Sequence, residues 1–363
     1  MQYRKLGKTG KRISIIGFGC MRLPPGDKEA VSLIRRATDL GMNYFETSIG
    51  YCDGRSEIQV GLGVKGRRDD VYVSTKSFVS STTTGADTKR QLEESLKKLV
   101  MDRVDFYQLW SFKFKNLPVA LAEGGPLEVL KEAKEKGLID HLGFTSHDTP
   151  QNIIEILKTG EFESVTVYHN ILQTGGSNPE PAIKYAYDHG IGVVIMGPLG
   201  GGILATPSEQ LQALVPKTST STVELALKYL LSNRGITTCI SGMTKMADVE
   251  ENAGIASRFK PLTAAETEEI QKVLDHYREL GNRFCTGCGY CVPCPNGVDI
   301  PGIFKLANYA RVYGLKEWAR ESYQRMNSSK RADNCKECGE CDEKCPNSIS
   351  IREQLKEAKT LLA

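Results

Sequence analysis

Eight of the chain's eleven cysteines lie in its last quarter and fall in two tight runs. The first is Cys285, Cys288, Cys291, Cys294 and the second is Cys335, Cys338, Cys341, Cys345; each ends in Cys-Pro, at Pro295 and Pro346. This pattern restricts the fold more than any other feature, because thiolates this close in sequence converge on a shared metal group. The second run reads C-x2-C-x2-C-x3-C-P, in which three thiolates on successive short turns hold three irons of one [4Fe-4S] cubane while the fourth ligates the neighbouring cluster. That spacing assigns Cys285, Cys288, Cys291 and Cys345 to one cluster, and Cys335, Cys338, Cys341 and Cys294 to the other. The first run departs from it in one place: only Val292 and Pro293 separate its last two cysteines. Structural zinc takes isolated Cys-x2-Cys pairs rather than unbroken runs of four. Disulfides need an oxidising compartment, and the rest of the chain gives no sign of one.

With 363 residues the chain suits one large domain plus a small one. Its formal charge of +3 is close to balance, and basic stretches such as Lys65-Gly66-Arg67-Arg68 are answered at once by Asp69 and Asp70. Such interspersion marks solvated surface rather than a nucleic-acid footprint. Met1 to Gly10 is polar and lacks the apolar core of a signal peptide. The longest apolar run, Ile191 to Ala205, is broken by Gly197, Pro198 and the glycines at 200–202, so it does not cross a bilayer as an ordinary helix. The expectation is a soluble protein of a reducing cytoplasm, with no membrane or nucleic-acid partner.

Up to about residue 260, short apolar runs alternate with amphipathic stretches. Strands are predicted at Ile13–Gly19, Asn43–Glu46, Val71–Thr75, Val104–Trp110, His141–Thr145, Val165–Tyr168, Gly192–Met196 and Ile236–Ile240. Helical periodicity fills the intervals, as in Glu29–Leu40 with Ala30, Leu33, Ile34 and Ala37 on one face. Eight strands alternating with helices predict a TIM (β/α)8 barrel. An open doubly wound sheet is the alternative, but no G-x-G-x-x-G follows a first strand; Gly17-Phe18-Gly19 is not that motif. Tyr3–Leu6 and Lys11–Ser14, around Thr9-Gly10, predict a hairpin across the barrel floor. Thr263 caps a connecting helix that Gly281 is expected to end. The predicted division is a barrel over 1–262, the connecting helix over 263–280, and a small α-helical dicluster domain over 281–363, with a helical insert from Ile300 to Met326 and a final helix from Ser350.

Barrel chemistry sits at the carboxyl ends of the strands, which singles out Glu46, Tyr51, Lys76 and Trp110. Here the sequence resembles a known family. Asn43-Tyr44-Phe45-Glu46-Thr47-Ser48, then Tyr51, then Gly54-Arg55-Ser56-Glu57, then Ser74-Thr75-Lys76, is similar to the aldo-keto reductase superfamily. Gly143-Phe144-Thr145-Ser146-His147 and Gly242 with Glu250-Glu251-Asn252 add to the likeness. With its ferredoxin-like tail, the whole chain resembles the branch of that family that carries two [4Fe-4S] clusters.

The resemblance implies carbonyl reduction with NADPH at an Asp-Tyr-Lys-His group. Tyr51 and Lys76 match that group, and Glu46 stands where Asp is usual. A tyrosine is a weak acid, with an ordinary pKa near 10; a neighbouring ammonium favours its phenolate, and a carboxylate holds the ammonium. The phenol then protonates the oxygen as hydride reaches carbon. Trp110 replaces the family's histidine; an indole donates one hydrogen bond and does not titrate. Relatives that lose this histidine include reducers of conjugated C=C bonds. His147 is a candidate replacement or an ordinary loop residue. For the nucleotide, the resemblance implies Thr145 and Ser146 at the carboxamide, with Thr166 in place of the usual Gln. At the phosphate end it implies Ser241, Gly242, Thr244 and Lys245, beside a helix N-terminus, and it adds Asn252 to the cofactor-binding residues. Thr244 stands where many members have Arg, and Lys245 is a point charge without Arg's planar fork.

Cys20, Cys52 and Cys239 read as packed residues. His141, His169, His189 and His276 lack ligand spacing. Ser111-Phe112-Lys113-Phe114-Lys115 reads as an anion clamp, a docking loop for an acidic ferredoxin, or a plain amphipathic loop. The expected activity is an oxidoreductase of an anaerobe. Single electrons from the clusters, with ferredoxin as donor, would reach a carbonyl or activated C=C substrate at the barrel mouth. Two alternatives stand beside it: an NADPH-dependent aldehyde or ketone reductase with structural clusters, and an electron carrier on a degenerate barrel. NADP(H) is a candidate cofactor, and the sequence leaves room for a flavin.

Overall fold

The computed structural model describes residues 1–173, 178–206, 208–216, 219–282, 291–345 and 349–363. Strands β1 (Tyr3–Lys5) and β2 (Arg12–Ser14) form an antiparallel hairpin. Eight further strands follow: β3 (Ile16–Gly19), β4 (Tyr44–Glu46), β5 (Tyr72–Phe78), β6 (Val104–Trp110), β7 (Ile139–Ser146), β8 (Ser164–Tyr168), β9 (Gly192–Met196) and β10 (Thr238–Ser241). They close in the order β10-β3-β4-β5-β6-β7-β8-β9, every pair parallel. This is the barrel that the alternation of strands and helices predicts.

The predicted run Ile13–Gly19 is not one strand. At its start, Ser14 N–H donates to Asn43 Oδ1 at 2.7 Å, and Ser14 Oγ donates to Ile16 O at 2.8 Å. These side chains take up the Ser14 N–H and the Ile16 carbonyl on either side of Ile15, whose own N–H donates to Gln2 O and whose carbonyl accepts from Cys239 N, each at 3.0 Å, as the chain leaves the hairpin for the barrel. The hairpin covers the amino-terminal end: Leu6 and Ile13 pack with Tyr44, Phe106, Val194 and Ile240 from the barrel interior. Above that apolar layer lies a polar one. Gln108 Nε2 donates to Ser74 Oγ at 2.7 Å, and Thr166 Oγ1 donates to Gln108 Oε1 at 2.8 Å. With bonded polar groups filling the middle layer, the barrel is a packed core and the reactive side chains are left to its upper end.

Helices cover the outside with one apolar stripe each. In Asp27–Asp39 the buried residues are the Ala30, Leu33, Ile34 and Ala37 of the predicted face. Thr84 and Asp87 cap Gly85–Leu99 reciprocally. The helix Ser56–Val64 is wedged closely between neighbours. A Cβ on Gly61 would lie 2.2 Å from Leu99 O, and one on Gly63 would lie 2.5 Å from Ile34.

The contacts divide the chain into two compact units. One holds Met1–Gln173 and Ala226–Pro261, and with them β9; the other holds Leu199–Leu225 and Leu262–Ala363. In the second unit, Thr263 and Glu266 cap the helix Ala264–Asn282 reciprocally. That helix continues through Gly281 rather than ending there, because a glycine stops a helix only where the backbone turns left-handed. The predicted insert is two helices, Ile300–Val312 and Lys316–Arg325, with Gly314 at φ +67° between them. They pack with the last helix, Ile351–Leu362, around Ile303, Phe304, Ala319, Leu355 and Leu362. Trp318 borders this core, edge-on to Tyr309 at 5.5 Å. Among the described residues, no helix is long and apolar enough to cross a membrane.

Candidate active site and cluster site

Strands β4, β5 and β6 are neighbours, so side chains sent inward from their carboxyl ends meet. Glu46 ends β4, Lys76 lies near the end of β5, and Trp110 ends β6. The Lys76 ammonium pairs with the Glu46 carboxylate and donates to Thr47 O at 2.8 Å. Both side chains are buried, with 1% of Lys76 and 3% of Glu46 exposed. Tyr51 stands on the turn after β4, where Cys52, Asp53 and Gly54 adopt φ of +52°, +52° and +81° and reverse the chain. Lys76 Nζ lies over the Tyr51 ring, 4.5 Å from its centroid. The Trp110 indole meets Tyr51 edge-on at 5.5 Å and 88°. The four residues picked out for the barrel mouth therefore form one contiguous group.

Burial pushes the Lys76 pKa well below the ordinary lysine value, while the touching carboxylate opposes that loss of charge. Burial also raises Tyr51, with the nearby Cys20 thiol adding to the shift. The phenol is thus held as the acid at neutral pH, the form that can give up a proton.

Phe78 completes the group and is absent from the sequence reading. It is 53% exposed and meets Trp110 edge-on at 6.4 Å. The signal was available: Phe78 is two residues beyond Lys76, so it shares its face, but the predicted strand ended at Thr75. The His147 ring packs 5.9 Å from the Tyr168 ring. The Cys52 thiol turns inward, donating to Cys20 O and Met21 O at 3.6 and 3.5 Å. Cys20 and Cys239 are fully buried. His141 bonds Glu163 at 2.9 Å, and His169 bonds Glu180 at 3.1 Å; the side chain of His276 lies outside the described residues. In the loop after β6, Phe112 is fully buried while Phe114 is 40% exposed.

The residues proposed for a nicotinamide nucleotide are mostly engaged. Thr145 Oγ1 accepts from Ser111 N at 2.8 Å, Ser146 Oγ donates to Phe112 O at 2.7 Å, and Thr166 bonds Gln108 as described. The N–H groups of Thr244 and Lys245 both donate to Asp248 Oδ2 at 3.0 Å, so a carboxylate takes up that helix start. Ser241 Oγ and Asn252 Oδ1, by contrast, are buried without a hydrogen bond, which leaves two polar atoms for a nucleotide. Gly242 lies between Ser241 and Met243, beside Gly19.

In the second unit a pocket open to solvent is lined by Cys294, Cys335, Cys338 and Cys341, together with Cys291. The first four are the ligand set that the spacing assigns to one cluster. Cys345 borders the adjoining apolar core. Cys285 and Cys288 lie outside the described residues. The nine described cysteines are all thiols. Among the described residues, no three His, Cys, Asp or Glu side chains converge as they would on one ion. Burial, with Asp342 beside it, pushes Cys341 up to about 11. Lys336, Lys344, Arg352 and Glu340 also line the pocket, with Lys344 paired to Glu340 and Arg352 to Asp342. Five thiols around one open pocket fit an iron-sulfur cluster.

The profile of the Aldo/keto reductase family matches residues 15–275. The chain belongs to the aldo/keto reductase family. A 4Fe-4S dicluster domain matches residues 284–350, so the protein is an aldo-keto reductase-like oxidoreductase with a dicluster domain. It is 27% identical over 307 residues to the oxidoreductase YqkF of Bacillus subtilis, covering 75% of this chain and 96% of that protein. L-galactose dehydrogenase of Arabidopsis thaliana is 26% identical over 310 residues, covering 77% of this chain and 96% of the relative. Among solved structures, the holo form of aldo-keto reductase AKR11C1 from Bacillus halodurans is 30% identical with a TM-score of 0.67, covering 75% of this chain and 96% of that one. An aldo-keto reductase from Klebsiella pneumoniae in complex with NADPH shares the fold, with a TM-score of 0.64 at 19% identity and coverage of 75% and 95%. These relatives are matched almost end to end over about three quarters of this chain.

Proposed function

We propose that this aldo-keto reductase reduces a carbonyl or an activated C=C bond at the barrel mouth, with Tyr51 as the proton donor. The observation that carries the reading is the buried contact of Glu46, Lys76 and Tyr51 at adjoining strand ends. Bound clusters supply electrons singly, and a bound nicotinamide supplies them as hydride. The chain's own residues do the rest. Tyr51 gives one proton to the substrate oxygen, or to the carbon or oxygen of a conjugated system; this suffices when the other hydrogen comes as hydride, and when two electrons come singly solvent supplies the second proton. Lys76 steadies the phenolate that remains, and Glu46 keeps the ammonium charged despite its burial. Trp110 and Phe78 form an aromatic wall that favours a flat, unsaturated substrate. Cys294, Cys335, Cys338 and Cys341 hold one cluster; Cys285, Cys288, Cys291 and Cys345 hold the other. A ferredoxin is the electron donor in this reading.

A second reading, NADPH-dependent reduction with structural clusters, draws on the unbonded Ser241 Oγ and Asn252 Oδ1 and on the NADPH bound in the Klebsiella structure. One anaerobic experiment separates the two. Reduced ferredoxin should bleach the cluster absorbance, and an enone should restore it. In Tyr51→Phe the bleaching should persist while recovery slows by roughly a hundredfold or more. Reduction of substrate by NADPH with unchanging cluster absorbance would establish the second reading instead.

A further inference from the structure

Gly54-Arg55-Ser56-Glu57 belongs to the family likeness but has no part in the chemistry above. Ser56 and Glu57 open the helix Ser56–Val64 and are fully buried. Ser56 Oγ donates to Cys20 O at 2.8 Å, just past β3. A serine hydroxyl has one proton, so Thr47 is the donor in the 2.7 Å bond between Thr47 Oγ1 and Ser56 Oγ. Glu57 Oε1 accepts from Thr75 Oγ1 at 2.6 Å. The main chain joins the same points: Ser56 N donates to Tyr51 O at 3.2 Å, and Thr47 N to Ser74 O at 2.8 Å. Thr47 follows Glu46 and offers the carbonyl that Lys76 bonds; Thr75 precedes Lys76. One helix start therefore grips both strand ends and the turn that carries the phenol.

Glu57 Oε2 and the hydroxyls of Ser77, Ser95 and Tyr107 are buried without a well-formed hydrogen bond. Burial raises the Glu57 carboxyl, and Lys98, the cation acting on it, is paired with Glu94 at 2.8 Å. A neutral acid costs far less than a carboxylate in such a place.

We propose that Ser56 and Glu57 are positioning residues that fix the Glu46–Lys76–Tyr51 group by clamping Thr47 and Thr75 beside it. The proposal rests on the reading of that group given above. Its test uses the full cluster-bearing chain with 3-fluorotyrosine at position 51, whose fluorine resonance is followed against pH and needs no substrate. Glu57→Gln should keep the wild-type titration, because an amide oxygen still accepts from Thr75. Glu57→Ala and Ser56→Ala should displace the midpoint by roughly half a pH unit or more. Turnover in those two should fall roughly tenfold with KM little changed. Thr75→Val removes the same bond with a side chain of equal shape, and serves if Glu57→Ala does not fold. Resonances that match wild type in every variant would overturn the clamp. So would a Glu57→Gln as disturbed as the alanine variant, or a lowered melting midpoint without a displaced resonance. Normal turnover in Tyr51→Phe would defeat the reading of the active group alone, and the fluorine titration would still decide the clamp.

Discussion

Lys76 is closely held at the barrel mouth. It is a lysine with 1% exposure, and a buried charge survives only when paired and hydrogen-bonded. Glu46 and Thr47 O supply both conditions. Removing one partner strands the other, so Lys76→Met should cost about 3–5 kcal/mol by urea unfolding. The double variant Lys76→Met/Glu46→Gln should recover much of that stability, because no bare carboxylate is left, while turnover stays lost. Recovery of stability and turnover together would show that the pair is structural. The Trp110 substitution reads differently once its surroundings are known. Against Tyr51 and Phe78 it is part of an aromatic wall, a context that its position in the chain did not reveal.

At the scale of elements, the barrel is held by close approaches and by a few bonded polar groups between layers. Ala at position 61 would gain about 1 kcal/mol of helix propensity over Gly. Its Cβ would lie 2.2 Å from Leu99 O, and overpacking costs about 1–3 kcal/mol. Gly61→Ala should therefore lower the melting midpoint, against the propensity scale; a raised midpoint would mean that the helix pair gives way easily. Glu163 ties β7 to the helix Pro126–Glu135. It bonds His141 in β7, Lys134 in the helix Pro126–Glu135, and Leu142 N at 3.2 Å. Burial alone would raise its carboxyl, but these bonds hold it at about 2. A depressed folded-state pKa gives stability that is fully present above the unfolded value near 4.3 and is lost as pH falls through the folded one. The melting gap between wild type and Glu163→Gln should thus be widest above about pH 5 and close toward pH 2. Circular dichroism of the iron-free chain would follow it, since acid protonates thiolate ligands.

For the molecule as a whole, the two units call for separate tests. If the ligand sets interleave as the spacing implies, Cys294→Ser and Cys335→Ser should perturb the same cluster and Cys345→Ser the other. Each should lose about half of the bound iron, with paramagnetic resonance of the reduced protein telling the two classes apart. Identical spectra from all three would refute the interleaving. Iron loss should loosen the second unit, whose folding is linked to its metal, and leave the barrel's unfolding transition in place.

Much of this was legible in the residues themselves. Cysteine spacing specifies a cluster because three ligands on adjacent turns need only local geometry. Alternating runs specify the barrel because strand and helix periods are set by the neighbouring peptide units. Tyr51, Lys76 and Glu46 were legible from their places at strand ends. What only the tertiary structure decided lies in contacts between residues far apart along the chain. The predicted strand Ile13–Gly19 divides at Ile15, where Asn43 takes the Ser14 N–H and Cys239 N–H donates to Ile15 O. Phe78 becomes a wall because Trp110 on the next strand faces it. Ser56 and Glu57 acquire a purpose only when β3, β4 and β5 are brought to one helix start. A sequence fixes what each side chain can bond and how its own backbone prefers to run. Which partner it meets, and whether water is excluded there, depends on the packing of elements that are remote in the chain.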